Sequence, residues 1–263
     1  MRGLYAIYRK EMNHYFVSPV AYVVVCIFLV LAGVFFNYIM SQVIRYSFEA
    51  GMESMQMGGA GMNIDVPSMV LRGFLSILGT IVLFLTPLLT MGVYSEERKR
   101  GTMELLMTSP ITDSDIVLGK FLASFSLLVI MLLPTVFYVI YMFAHSAPAA
   151  PWRLIAGGYL GVLLLGGMLL ALGSCLSSLT ENQIVSGVLI FGLSLLLWLL
   201  DIFTQGGNSA FAKSLQYGAV LQHYDPFIRG IVDTTGLVFF GSWIVLGIFL
   251  TMRSIESMRW RRA

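Results

Sequence analysis

Residues 121–143, FLASFSLLVIMLLPTVFYVIYMF, decide the fold, because the whole run passes without a charged side chain. A hydrocarbon core about 30 Å thick offers backbone amides no partner, so a crossing segment is either a helix of about 20 mainly apolar residues or a strand of a closed barrel. Barrel strands alternate apolar and polar side chains, and LLVIMLLPTVFYVIYMF does not. The run predicts a membrane-spanning helix.

Working outward, Val17 to Met40, Gly73 to Ser95, Leu154 to Thr180, Asn182 to Leu200 and Thr234 to Met252 are also free of charge. The expected fold is therefore an all-α polytopic membrane protein in one domain, with six transmembrane helices over residues 18–40, 73–94, 116–143, 154–179, 183–203 and 235–253. Composition agrees: 57% of the residues are hydrophobic, only 11% are charged, and the mean hydropathy is +0.83. A soluble domain carries about 25% charged residues to keep its surface wet, so that class is excluded. Cys26 and Cys175 fall inside expected spans and read as inert buried thiols.

Lys and Arg concentrate on the cytoplasmic side of membrane proteins. With both termini inside, Arg2, Arg9, Lys10, Arg98, Lys99, Arg100, Lys120, Arg253, Arg259, Arg261 and Arg262 are cytoplasmic, against Arg45, Arg72, Arg153, Lys213 and Arg229 outside. Tyr94, Trp152 and Trp198 fall near the expected boundaries, where amphipathic rings prefer to sit. The start, MRGLYAIYRKEMNHYF, has no apolar core or cleavage site of a secretory signal, so no removal is expected. Instead, Leu4, Tyr8, Met12 and Tyr15 recur at helical spacing opposite Arg2, Arg9, Lys10 and Asn13, which predicts an interfacial helix over 2–17 ended by Ser18-Pro19.

Between the spans, the glycines of GMESMQMGGAGM predict a mobile linker in the outer loop 41–72. Residues 204–233 read as an outer amphipathic segment of short helices dipping into the outer leaflet. Pro87 and Pro134 should kink the second and third spans. Gly157 and Gly161, and Gly167 and Ala171, are four apart, a spacing that lets helix backbones approach closely, within the chain or across a dimer.

The inner loop 95–115, SEERKRGTMELLMTSPITDSD, is the most charged part of the chain. Gly101-Thr102 breaks the helix and offers Thr102 as the cap of a short one whose Met103, Leu106 and Met107 share a face, ended by Pro110. Thr112 and Asp115 have capping-box spacing at the start of the third span. Such a helix, held between two spans by tight turns, would tilt both when pushed.

This segment, with KEMNHYFVSPVAY, SSLTENQIVSG and HYDPFIRGIVDTTGLVFF, resembles the type-2 ABC transporter permeases, in particular the gliding-motility-associated subfamily. The resemblance covers most of the chain. It implies an ABC-2 permease fold in the bacterial inner membrane, with Glu96, Glu97, Arg98, Gly101, Thr102, Glu104, Leu105 and Leu106 forming a cytoplasmic coupling helix that docks on a separate ATPase subunit. Thr180, Glu181, Asn182 and Gln183 would make a second inner turn near the same partner. It further implies a second permease copy or a related permease, an accessory subunit, and export or conformational work. The chain itself is expected to be non-catalytic and to hold no cofactor, ATP-Mg being bound by the partner. A phosphate-cradling loop needs Gly, four residues, then Gly-Lys-Ser/Thr. The one Gly-Lys, Gly119-Lys120, has Ser114 in place of the first Gly and Phe121 after it.

Three other readings compete. An intramembrane enzyme would need ionisable groups at depth, whereas His14, His145, His223 and Asp201 all fall at or outside the boundaries. Met52, Met55, Met57 and Met62 could offer soft thioethers to Cu(I), although Met more often fills apolar gaps. A scaffold transmitting force without moving a solute is equally compatible with spans that hold few charges.

Overall fold

The computed structural model describes residues 2–56, 65–108, 110–145, 151–204 and 217–260. Among these it is helical almost throughout and contains no strand. In chain order the helices are α1 (Arg2–Val17), α2 (Pro19–Gln56), α3 (Val66–Thr90), α4 (Ser95–Lys99), α5 (Thr102–Thr108), α6 (Asp113–Leu132), α7 (Val136–His145), α8 (Trp152–Leu179), α9 (Gln183–Thr204), α10 (Val220–Ile228) and α11 (Thr234–Trp260). Six stretches are long and apolar enough to cross a membrane: Pro19–Glu53, Val66–Lys99, Asp113–Met142, Trp152–Leu179, Gln183–Asp201 and Thr234–Met258. One falls on each expected span.

α8 is the central post, in contact with α3, α6, α9, α10 and α11. Between helices surrounded by lipid there is no water to exclude, so close packing rather than hydrophobicity holds them. The small residues of α8 serve that end inside the chain. A side chain at Gly161 would meet Phe227 Cβ at 2.6 Å, and one at Gly157 the backbone of Gly230 at 3.2 Å. Ala171 lies against Gly247 of α11, where a Cβ would come within 2.8 Å of its carbonyl carbon. α10 nests on this post. Its Tyr224 is fully buried and donates a 2.6 Å hydrogen bond to the Leu75 carbonyl, more than two turns into α3. This is the one element described within the expected outer segment 204–233; residues 205–216 lie outside the described residues.

Three expectations are corrected. The outer linker does not begin after Met40: α2 runs unbroken to Gln56, and α3 already starts at Val66, behind an Asp65 cap whose carboxylate accepts from the Ser68 amide. Gly51 alone costs a helix only about 1 kcal/mol, too little to stop one already propagating. The glycines at 58, 59 and 61 lie outside the described residues. Next, Tyr94 is not a boundary ring, being 1% exposed within an apolar cluster; Trp152 is exposed and Trp198 packs on Phe84. Last, the α1 stripe Leu4, Tyr8, Met12 and Tyr15 is not left open for headgroups. Tyr8 and Tyr15 reach Ser126 and Ser124 at 3.1 and 3.0 Å, and Ile7 and Glu11, absent from that stripe, are the buried residues of α1.

Pro134 acts as expected. The third span rewinds into a 3₁₀ turn, Leu133–Thr135, between α6 and α7, because a proline inside a helix lacks one donor and crowds the turn before it. Thr135 takes up the slack with hydrogen bonds to the Leu132 carbonyl at 2.6 Å and the Tyr159 hydroxyl at 3.0 Å. Pro87 lies within the last turn of α3, where the cap at Met91 bonds back to its carbonyl at 2.9 Å.

Candidate functional site

The charged loop between α3 and α6 folds into two short helices with different fixings. α4 is held on two sides. On one side, Ser177 of α8 donates to the Met91 carbonyl at 3.1 Å and accepts from the Tyr94 and Ser95 amides at 3.2 and 3.3 Å, so one hydroxyl satisfies three groups of the turn that leaves α3. Arg98 adds a charged fork, one nitrogen donating to the Ser178 carbonyl at 2.7 Å and the other pairing with Glu181 at 2.8 Å. On the other side Glu97 faces Lys10 at 2.7 Å and Lys120 at 3.0 Å. Glu96 pairs along the helix with Arg100 at 2.6 Å.

α5 hangs from this block by Gly101, whose φ of +70° is a backbone setting that L side chains adopt only at a cost. Thr102 opens the helix but does not turn its hydroxyl forward as a cap; it donates back to the Glu97 carbonyl at 3.3 Å. Underneath, Met103 is 3% exposed and enters a cluster with Ile7 of α1, Val93 and Tyr94, Ile116 and Val117 of α6, and Ile255 of α11, with Leu106 packed against it. The upper face is open: Glu104 is exposed and Leu105 is 73% exposed. The Met107 side chain lies outside the described residues. After Pro110, Thr112 caps α6, its hydroxyl accepting from the Asp115 amide at 3.3 Å.

The second turn comes to the same place. Asn182 caps α9 by accepting from the Ile184 amide at 2.9 Å, and the Gln183 amide nitrogen stands against Gly92, 3.3 Å from where a Cβ would be. The residues expected to serve coupling, Glu96, Glu97, Arg98, Gly101, Thr102, Glu104, Leu105 and Leu106 in the loop and Glu181, Asn182 and Gln183 in the second turn, lie at one end of the bundle, where Arg98 and Gln183 bring the two turns together. Sequence reasoning missed Lys120, Glu11, Ser177 and Ser178. The signal for Lys120 was there: a lone cation about one turn into the otherwise neutral span expected over 116–143 is costly and seldom without purpose.

The rival sites look different. His223 stacks on Phe239 at 4.0 Å with its Nδ1 2.9 Å from the Ala219 carbonyl, and His14 is exposed at the end of α1. Asp201 is buried in α9 and the His145 side chain is outside the described residues. Met52 is exposed on α2, while Met57 and Met62, with the Met55 side chain, fall outside the described residues. A cleft of about 500 Å³ at the other end of the bundle is lined by His223, Gln222 and Asp233 among others.

A helical bundle with six membrane-length spans, a central glycine-lined post and a structured charged loop at one end has the form of a transporter permease. The model of the ABC-2 family transporter proteins matches residues 5–250, nearly the whole chain, and the chain belongs to that family. No curated protein gives a significant match.

Proposed function

We propose that this chain is the membrane subunit of an ABC-2 transporter in which α5 is the coupling helix, docking on a separate ATPase subunit that binds ATP-Mg and whose closure drives export or conformational work. The observation that carries the reading is the two-sided character of α5: Glu104 and Leu105 lie on its exposed face, the leucine uncovered among the described residues, while Met103 is rooted in a cluster shared by α1, α6 and α11. Push on the upper face and the load is delivered to three other helices. The turn at Glu181 to Gln183, joined to α4 through Arg98, widens the same surface. In this reading the charged end faces the cytoplasm of a bacterium, both termini lie inside, and two permease copies, or this chain with a related permease, sit side by side in the inner membrane. An accessory subunit on the outer side and a place in the gliding-motility-associated subfamily belong to the same proposal, and this chain contributes no catalytic group and binds no cofactor of its own.

The test is co-purification from membranes with an ABC ATPase co-expressed with it. Leu105→Arg should abolish recovery of the ATPase while leaving the melting temperature of the permease unchanged, since an exposed side chain away from packing shifts stability by about 0.5 kcal/mol or less. Undiminished recovery with both Leu105→Arg and Glu104→Lys would move the docking surface elsewhere.

A further inference from the structure

Lys120 is 2% exposed, and its ammonium donates to Glu11 Oε1 at 3.0 Å and the Val93 carbonyl at 2.8 Å and pairs with Glu97 Oε2 at 3.0 Å. Two of its protons are donated, to Glu11 and to the Val93 carbonyl, while Glu97 Oε2, which accepts no hydrogen bond among the described residues, faces it as an ion-pair partner alone. The other oxygen of Glu97 takes Lys10 at 2.7 Å, and Lys10 lies 3.7 Å from Glu11. Two cations and two anions thus alternate around a closed, neutral ring drawn from α1, α4 and α6.

Stability gives no reason for such a ring. Replacing a buried ion set by apolar residues of similar volume is often neutral or stabilising, because desolvation consumes the Coulombic gain. What charges supply and methyl groups do not is a fixed register. Apolar surfaces slide past one another at little cost, whereas a displaced ring leaves an ammonium or a carboxylate unpaired in a low-dielectric site. The packing beside it is correspondingly close and in step: Gly3 stands by Asp115, Ile7 by Gly119, Glu11 by Lys120 and Tyr15 by Ser124, so α1 runs alongside the first three turns of α6 in the same direction.

We propose that this ring is a lock that makes α1 move as one body with α4 and the foot of α6, with Lys120 as its positioning residue. Loads entering through α5 then reach the amino-terminal helix without slippage. The inference deepens the coupling reading above and takes its source of force from it.

Spin labels at Tyr5→Cys and Leu122→Cys, in a chain whose Cys26 and Cys175 are replaced by Ser, measure the α1 to α6 distance in the isolated protein. The triple variant Glu11→Gln, Glu97→Gln, Lys120→Met removes the three buried charges together and leaves only Lys10, whose side chain is 56% exposed and keeps its water. Its distance distribution should at least double in width, while a control pair at Val188→Cys and Val245→Cys on α9 and α11 stays as narrow as before. A width unchanged in the triple variant overturns the lock. With the co-purified ATPase and ATP-Mg plus vanadate, a label at the exposed position 108, at the end of α5, of each copy and a label at position 5 of each copy should shift together in the parent, and the triple variant should lose only the second shift. A shift at position 108 with none at position 5 in the parent overturns the proposal too. If neither position responds, the coupling reading fails and the first measurement still decides the lock.

Discussion

Arg98 shows how one side chain can serve two elements of unequal worth. Its bond to the Ser178 carbonyl is part-buried, whereas Glu181, its ionic partner, has a side chain 68% exposed. A charge-assisted hydrogen bond is worth about 1.5–3 kcal/mol, and an exposed ion pair about 0–1 kcal/mol. Arg98→Ala should therefore lower thermal stability in detergent markedly and Glu181→Ala barely; equal shifts would mean that the ion pair, not the carbonyl, holds the fork. Both residues were legible in the sequence as charges beside inner turns. Lys120 stood out only as a lone cation in a span; its ring did not, because its partners Glu11 and Glu97 stand 109 and 23 positions away, and no local pattern reports an ion pair closed by tertiary packing.

At the scale of elements, the glycines of α8 and α9 separate packing from mere occurrence in a span. Gly161 is pressed against Phe227, while a Cβ at Gly192 would meet nothing within 4 Å. Gly161→Val should cost about 1–3 kcal/mol by overpacking, and Gly192→Ala should be neutral or stabilising by up to about 1 kcal/mol, both read from melting temperatures of the purified chain. A sequence displays the spacing of small residues but not which face meets a neighbour, which is why intrachain and dimer packing both fitted Gly157, Gly161, Gly167 and Ala171 until α10 and α11 were seen against them. The six long helices were legible because uncharged runs of that length have few alternatives in lipid. The extension of α2 to Gln56 was not, since residues 41–56 mix charge, glycine and methionine and carry no apolar period. In α1 the expected stripe named a face one step away from Ile7 and Glu11, the residues that α6 actually buries.

The whole molecule divides into a close-packed helical middle and a charged end. Around α8 the bundle is tied by close backbone contacts, and the exposed apolar faces of α2, α9 and α11 are those a bilayer or a second copy would cover. At the charged end, by contrast, α1, α5, α6 and α11 converge on one small apolar cluster, and ion pairs at its rim tie in α4. Family membership was legible from the order of motifs along the chain, and the way the two turns at the charged end merge through Arg98 and Gln183 needed the fold. The central claim, that α5 receives work from another polypeptide, is tested most directly by placing a photo-crosslinking amino acid at position 105 in cells. Irradiation should join the chain to a protein that carries a nucleotide-binding loop and is retained on immobilised ATP, and the same group at the exposed apolar position 245 of α11 should not. An ATP-binding adduct from position 245 and none from position 105, with the unmodified chain fully inserted, would contradict the account.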